Sequence, residues 1–297
     1  MTVMTAQSVT LHAVPPFDFG KSLAFLCGFP ATAGEQRVGD GELVKALRVA
    51  GRTVVARITA APGGVRAGLH ARGGPLNQDE LSAVGDRISF YLSLDDDLGE
   101  FYAAARQDAA FAPVAEELYG YHQVKFPSPL ENLVWAILSQ RNTRTVATRS
   151  KRALMDAFEE NLLVVGGETY TAFPDLDQMG ELSPGRLADL IQNERKADHV
   201  FRAVQGLRAV EEDFLRSGPY DRVREFLLGL TGVGPWSADF IMIRGLGRTQ
   251  RVVAEKALLA AASRCYGHPV DERTLRRLAA AYGEYEGYWG HYLRAAS

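Results

Sequence analysis

Apolar residues follow two rhythms along the chain. In the first part, segments 8–14, 43–50, 52–60 and 64–71 alternate apolar and polar positions or are rich in valine, and they break at Gly51 and Pro62-Gly63-Gly64. A period of two between glycine turns predicts strands. The first of these ends at Pro15-Pro16, which suits an edge strand because proline cannot donate to a ladder. Segments 19–29 and 79–92 carry helical spacing instead. The expectation is a small α+β layer, an antiparallel sheet with helices on one side. Past Asp95-Asp96-Asp97 the alternation fades and a period near 3.6 takes over. Helices are predicted over 98–108, 129–139, 145–159, 183–190, 194–206, 210–217, 220–228, 235–245, 255–266, 271–282 and 286–295. The boundary is placed around 94–99, giving an N-terminal α+β domain over 1–97 and an all-helical domain over 98–297.

Composition narrows the class. The 297 residues are 46% hydrophobic, enough to bury the cores of two domains. The formal charge of −3 lends no support to nucleic-acid binding, although the field that governs such binding is local. Two distant cysteines, Cys27 and Cys265, offer no disulfide framework and no zinc spacing, and four-cysteine iron–sulfur ligation is excluded. Neither a signal peptide nor a membrane span is expected, and a reduced cytosol is the natural compartment.

The densest chemical signal is Leu228-Gly229-Leu230-Thr231-Gly232-Val233-Gly234-Pro235-Trp236-Ser237-Ala238-Asp239. An amphipathic helix leads into a Gly-Val-Gly reversal, and Pro235 suits the first position of the next helix, where its missing N–H costs nothing. Outward amides at such a start form a phosphate site without base specificity, and an ordinary helical corner has the same spacing. The flanking pattern is more specific. It resembles the helix-hairpin-helix of the base-excision DNA glycosylase superfamily, and Trp236-Ser237-Ala238 most resembles the 3-methyladenine-DNA glycosylase II (AlkA-type) branch. The similarity extends to 11–19, to 129–140 and to 173–206.

The resemblance implies a TATA-binding-protein-like N-terminal sheet and a helical core with its hairpin at about 220–246. It implies a base pocket lined by Phe25, Trp236 and Phe240, whose rings would suit a cationic alkylated purine. Gln140, Arg141 and Asn142 occupy the loop that wedges into the duplex, and Gly232, Val233 and Gly234 would hold a phosphate. A run of cations follows the wedge loop, Arg141, Arg144, Arg149, Lys151 and Arg152, which reads either as a backbone track or as a solvated helix face. Tyr288, Trp289 and Tyr292 are substitutes for a C-terminal pocket aromatic.

The match breaks at the catalytic position. Counting from Trp236, the family's Asp falls on Lys256, and Glu255 is the only acid within reach. A carboxylate there would stabilise an oxocarbenium-like sugar and orient water. The helix-hairpin lysine of lyase-type relatives is replaced by Trp236, which favours hydrolysis without strand cleavage. The expectation is therefore a monofunctional DNA glycosylase for alkylated purines. Glu255 is its catalyst, double-stranded DNA its partner, and no cofactor or catalytic metal is implied. It would act as a monomer in the bacterial cytosol or nucleoid. A DNA-binding lesion sensor that has lost catalysis, and a glycosylase-lyase using Lys256, are the alternatives.

Overall fold

A computed structural model describes residues 7–32 and 35–296. Its opening layer is a five-stranded antiparallel sheet of β1 (Gln7–His12), β2 (Gln36–Gly39), β3 (Glu42–Val49), β4 (Arg52–Ala61) and β5 (Gly64–Ala71), in the order β1-β5-β4-β3-β2. Pairing runs in register from Glu42↔Thr59 to Val49↔Arg52 and from Val54↔Ala71 to Ala61↔Gly64. Two helices belong to this layer, α1 (Phe19–Gly28) and α2 (Gln78–Leu92). Asp18 caps α1 by accepting from the Gly20 amide, and Asn77 and Glu80 form a reciprocal capping box on α2.

The rest of the chain is helical: α3 (Gly99–Gln107), α4 (Ala112–Glu117), α5 (Pro129–Ser139), α6 (Arg144–Asp156), α7 (Leu176–Glu181), α8 (Pro184–Ile191), α9 (Glu194–Leu207), α10 (Glu212–Ser217), α11 (Tyr220–Gly229), α12 (Pro235–Leu246), α13 (Lys256–Tyr266), α14 (Glu272–Ala279) and α15 (Glu286–Ala295). Between α6 and α7 a hairpin of β6 (Leu162–Val165) and β7 (Glu168–Thr171) departs from the helical expectation. It covers the second face of the sheet, where Val44, Ala46 and Val55 pack with Tyr170 and Ala172. The expected helix over 271–282 ends at Ala279 and continues as a 3-10 segment containing Gly283 at φ 52°. Among the described residues no helix is long and apolar enough to cross a membrane.

Two large cores form, and neither follows the change from strand to helix. One joins the inner face of the sheet, α1 and α2 to α3, α13, α14 and α15. The other is built around α5, whose residues 129–138 are buried on every side, with α6, α8, α9, α11 and α12. A helix buried all round belongs at the centre of its bundle.

Within the second core lies a buried ion cluster. Lys151, fully enclosed, places its Nζ 2.7 Å from Glu35 and 2.8 Å from Glu131, and donates to the Ala31 carbonyl. Burial works against both charges, but Glu131 and Glu35 outweigh it at Lys151, whose pKa is raised. The charges of Lys151 and Lys45 outweigh it at Glu131, whose carboxyl stays below its usual range. Lys151 therefore leaves the cationic run read from the sequence, and Arg152 pairs with Asp156. Arg144 and Arg149 remain exposed.

Candidate functional site

The glycine corner between α11 and α12 follows from its residues. Gly232 sits at φ +83°, and a Cβ there would lie 2.8 Å from His199 Nδ1, so only glycine fits both the conformation and the space. The Val233 side chain is buried and its amide donates to the Leu230 carbonyl at 3.1 Å. Gly234 is exposed and caps α12 without any side-chain bond, ahead of Pro235. The opening amides of α12 thus have no side-chain cap, as a helix start offered to an anion requires.

The loop after α5 is tied to this corner. Gln140 Nε2 donates to the Gly232 carbonyl at 2.7 Å and to Ser237 Oγ at 3.0 Å. Asn142 Nδ2 donates back to the Leu138 carbonyl, and Lys196 Nζ donates to the carbonyls of Ile137, Leu138 and Gln140. Together they cap α5 without a glycine. Between them Arg141 is exposed and takes a left-handed φ of 51°.

Beside the corner, between the two cores, opens a cavity of about 440 Å³, a size that suits a small ring ligand. Its walls come from α1, α12, the segment leading into α13, and α15. At the mouth Trp236, 43% exposed, stacks on Phe240 with centroids 5.1 Å apart and planes 8° apart. Glu255 stands immediately before α13. Its Oε2 lies 3.4 Å from Trp236 Nε1, and its Oε1 pairs with Arg294 at 2.5 Å. Lys256 is exposed and does not line the cavity.

The inner wall carries a second charge. The Arg244 guanidinium lies 4.9 Å from the Phe25 ring centroid and 4.8 Å from that of Phe29. Burial pulls it down to about 10, so it stays charged at neutral pH. Its Nη1 lies 3.2 Å from His291 Nδ1, while Nε and Nη2 are enclosed with no hydrogen-bond partner among the described residues. His291 also meets the Tyr121 hydroxyl at 2.9 Å, and burial followed by the charges of Arg244 and Arg294 holds its pKa well below the usual range.

The structure thus brings Phe25, Trp236, Phe240 and Glu255 to one cavity, with the glycine corner and the Gln140 loop alongside. Phe25 is not a bare ring awaiting a cation, because Arg244 already covers it. Tyr288, Trp289 and Tyr292 are buried in the first core, and α15 presents Gly287, Gly290, His291 and Arg294 to the cavity instead. Sequence reasoning missed Arg244, His291 and Arg294. Among the described residues no cluster of histidine, cysteine or acid could hold a metal ion.

Comparison with known proteins gives this arrangement a context. No family model matches the chain. It is 25% identical over 174 residues to a DNA-3-methyladenine glycosylase of Bacillus subtilis, covering 58% of this chain and 57% of that protein. It is 27% identical over 282 residues to a probable bifunctional transcriptional activator/DNA repair enzyme AlkA of Mycobacterium tuberculosis, covering 95% of this chain and 55% of that one. The chain therefore spans little more than half the length of these relatives. Among solved structures, a 3-methyladenine DNA-glycosylase from Archaeoglobus fulgidus superposes with a TM-score of 0.78 at 19% identity, covering 97% of both chains. The 8-oxoguanine glycosylase/lyase of Clostridium acetobutylicum, in complex with double-stranded DNA, superposes with a TM-score of 0.70 at 18% identity, covering 98% of this chain and 96% of that one. In sequence the chain resembles DNA-3-methyladenine glycosylases, and it shares its fold with the 3-methyladenine and 8-oxoguanine glycosylases of known structure.

Proposed function

We propose that the protein is a monofunctional DNA glycosylase that removes alkylated purines from duplex DNA in base excision repair. Glu255 takes the place of the usual aspartate. The observation that carries this reading is a carboxylate at the mouth of a purine-sized aromatic cavity, next to an uncapped helix start behind a glycine corner. In the reaction the N-glycosidic bond breaks, and its electron pair leaves with the base. Positive charge then grows on the sugar beside Glu255, and water adds at C1′. The carboxylate takes the water's proton; a purine with a fixed positive charge leaves as the neutral base, and an uncharged one takes a proton from solvent at the nitrogen that held the sugar. Trp236 offers its exposed face to the extruded base. Arg141 fills the vacated stack, and the amides around Gly234 hold a phosphate without reading sequence.

The test is release of free purines from duplex DNA treated with a methylating agent. Wild-type protein is expected to release them, and Glu255→Gln to do so more slowly by on the order of a hundredfold. Negligible release by both proteins would leave a lesion-binding protein without catalysis, a reading favoured by the Arg294 pair that engages Glu255. Lyase chemistry through Lys256 has no support from its exposed position outside the cavity. A borohydride-trapped adduct lost in Lys256→Ala would restore it.

A further inference from the structure

We infer that Arg294 is a positioning residue for base release: from α15 it pins the Glu255 carboxylate at the cavity mouth, and so gives a glutamate the fixed aim that its longer side chain would otherwise lack. The inference rests on the base-excision reading above and adds a residue to the machinery of that site.

The geometry starts with the backbone, where the segment leading into α13 is strapped to α15. The Gly287 amide donates to the Thr249 carbonyl at 2.8 Å, and the Val252 amide donates to the Glu286 carboxylate at 3.1 Å. Gly287 and Gly290 permit the close approach: a Cβ on the first would lie 3.0 Å from Thr249 Cα, and one on the second 2.9 Å from Val252 Cγ2. On the same helix Trp289, Tyr292 and Leu293 are buried, which anchors its last turns. The backbones that carry Glu255 and Arg294 are therefore held at a set separation.

The side chains then depart from the ordinary pattern. An acid just before a helix commonly turns back onto the helix's own amides. Glu255 holds that position on α13 and makes no such bond. Its carboxylate reaches instead to donors on two other helices, Oε2 to Trp236 Nε1 of α12 and Oε1 to Arg294 Nη1 of α15. The Trp236 contact, at 3.4 Å, is too long to fix a side chain with one more torsion than aspartate. The Arg294 contact, at 2.5 Å and between opposite charges, is the one that can. The two contacts fall on different oxygens, so they set the plane of the carboxylate as well as its place. The Glu255 side chain is 22% exposed against 51% for Arg294, so the acid is the more sheltered of the two. A cation beside the acid offsets part of its pull on a positive sugar. The gain is in aim, since misplacement by about 1 Å costs on the order of a hundredfold in rate. A half-exposed pair adds little to stability, so its removal is read in rate and not in folding.

The experiment measures single-turnover release of 7-methylguanine from a duplex carrying that base, at saturating protein and corrected for spontaneous loss, with duplex affinity read separately by fluorescence anisotropy. Arg294→Gln is expected to release the base about tenfold or more slowly than wild type, with its affinity unchanged. Arg294→Lys, whose ammonium can meet the same oxygen, should recover most of the rate. Glu255→Gln removes the acid through which Arg294 acts, so adding Arg294→Gln to it should slow release no further. Release by Arg294→Gln as fast as wild type or faster makes the pair idle or inhibitory and overturns the inference. So does the same slowing with and without Glu255, and so does a loss confined to affinity. If neither Arg294 variant unfolds cooperatively, the pair is architectural and the inference falls as well. Negligible release by the wild type removes the base-excision reading and this inference with it, whereas any of the other adverse results beside an active wild type removes this inference alone.

Discussion

Two of the cations buried among the described residues, Lys151 and Arg244, are housed in opposite ways. Lys151 lies within the second core between two carboxylates, with a backbone carbonyl as third acceptor. Arg244 lies in the cavity wall between two phenyl rings, with a neutral histidine on one nitrogen and nothing on two others. The first arrangement is complete: its charges offset one another where water does not reach. The second is incomplete among the described residues: Nε and Nη2 are enclosed with no hydrogen-bond partner. A buried cation held by carboxylates has its donors satisfied, whereas one held between aromatic faces keeps its charge and leaves donors over.

The largest expected effect attacks the complete cluster. Lys151→Met leaves Glu35 and Glu131 facing one another without their shared cation, and should cost about 3–5 kcal/mol in urea unfolding. Glu131→Gln keeps one carboxylate on Lys151 and should cost about 1–3 kcal/mol by the same measurement. The next effect depends on pH. Above the ordinary histidine value of 6.5, His291 is neutral in both the folded and the unfolded chain. Below it the unfolded chain takes up a proton that the folded one refuses, so stability falls as pH falls. His291→Phe should remove up to about 1.4 kcal/mol per pH unit of that slope in denaturation curves between pH 6.5 and the acid limit of folding. The smallest effect belongs to Arg244→Met, which exchanges an incompletely bonded charge for an apolar chain. It should leave stability within about 1 kcal/mol of wild type or raise it. A loss as large as that of Lys151→Met would erase the distinction between the two sites.

Much of the fold was written in local signals. Ser128 and Pro129 mark the start of α5, and the buried run behind them carries it to Ser139, where the sequence reading also ends it. The three central strands announce themselves through alternation and glycine turns. The β6–β7 hairpin was missed although its signal was present. Gly166 and Gly167, both at positive φ, stand between Val164-Val165 and Glu168-Thr169, as a two-residue hairpin loop requires. Strand β2 and helices α4 and α7 have four, six and six residues, too few to establish a period. In the cavity, residues near the glycine corner were legible because they follow a recognisable local pattern. Arg244 was not, since a basic residue in the last turn of a helix reads as a partner of the helix dipole. Lys151 misled for a related reason: its two acids lie 116 and 20 residues away, and no local pattern reveals them.

The bonds from Gln140 to Gly232 and Ser237, with Lys196 gripping three carbonyls behind them, weld the loop after α5 to the glycine corner. Two surfaces joined in this way behave like the fixed jaws of a wrench, with little slack for fitting one independently of the other. A flexible partner laid across both must supply the deformation itself. Discrimination would then begin before any group enters the cavity, by favouring stretches that are already easy to bend.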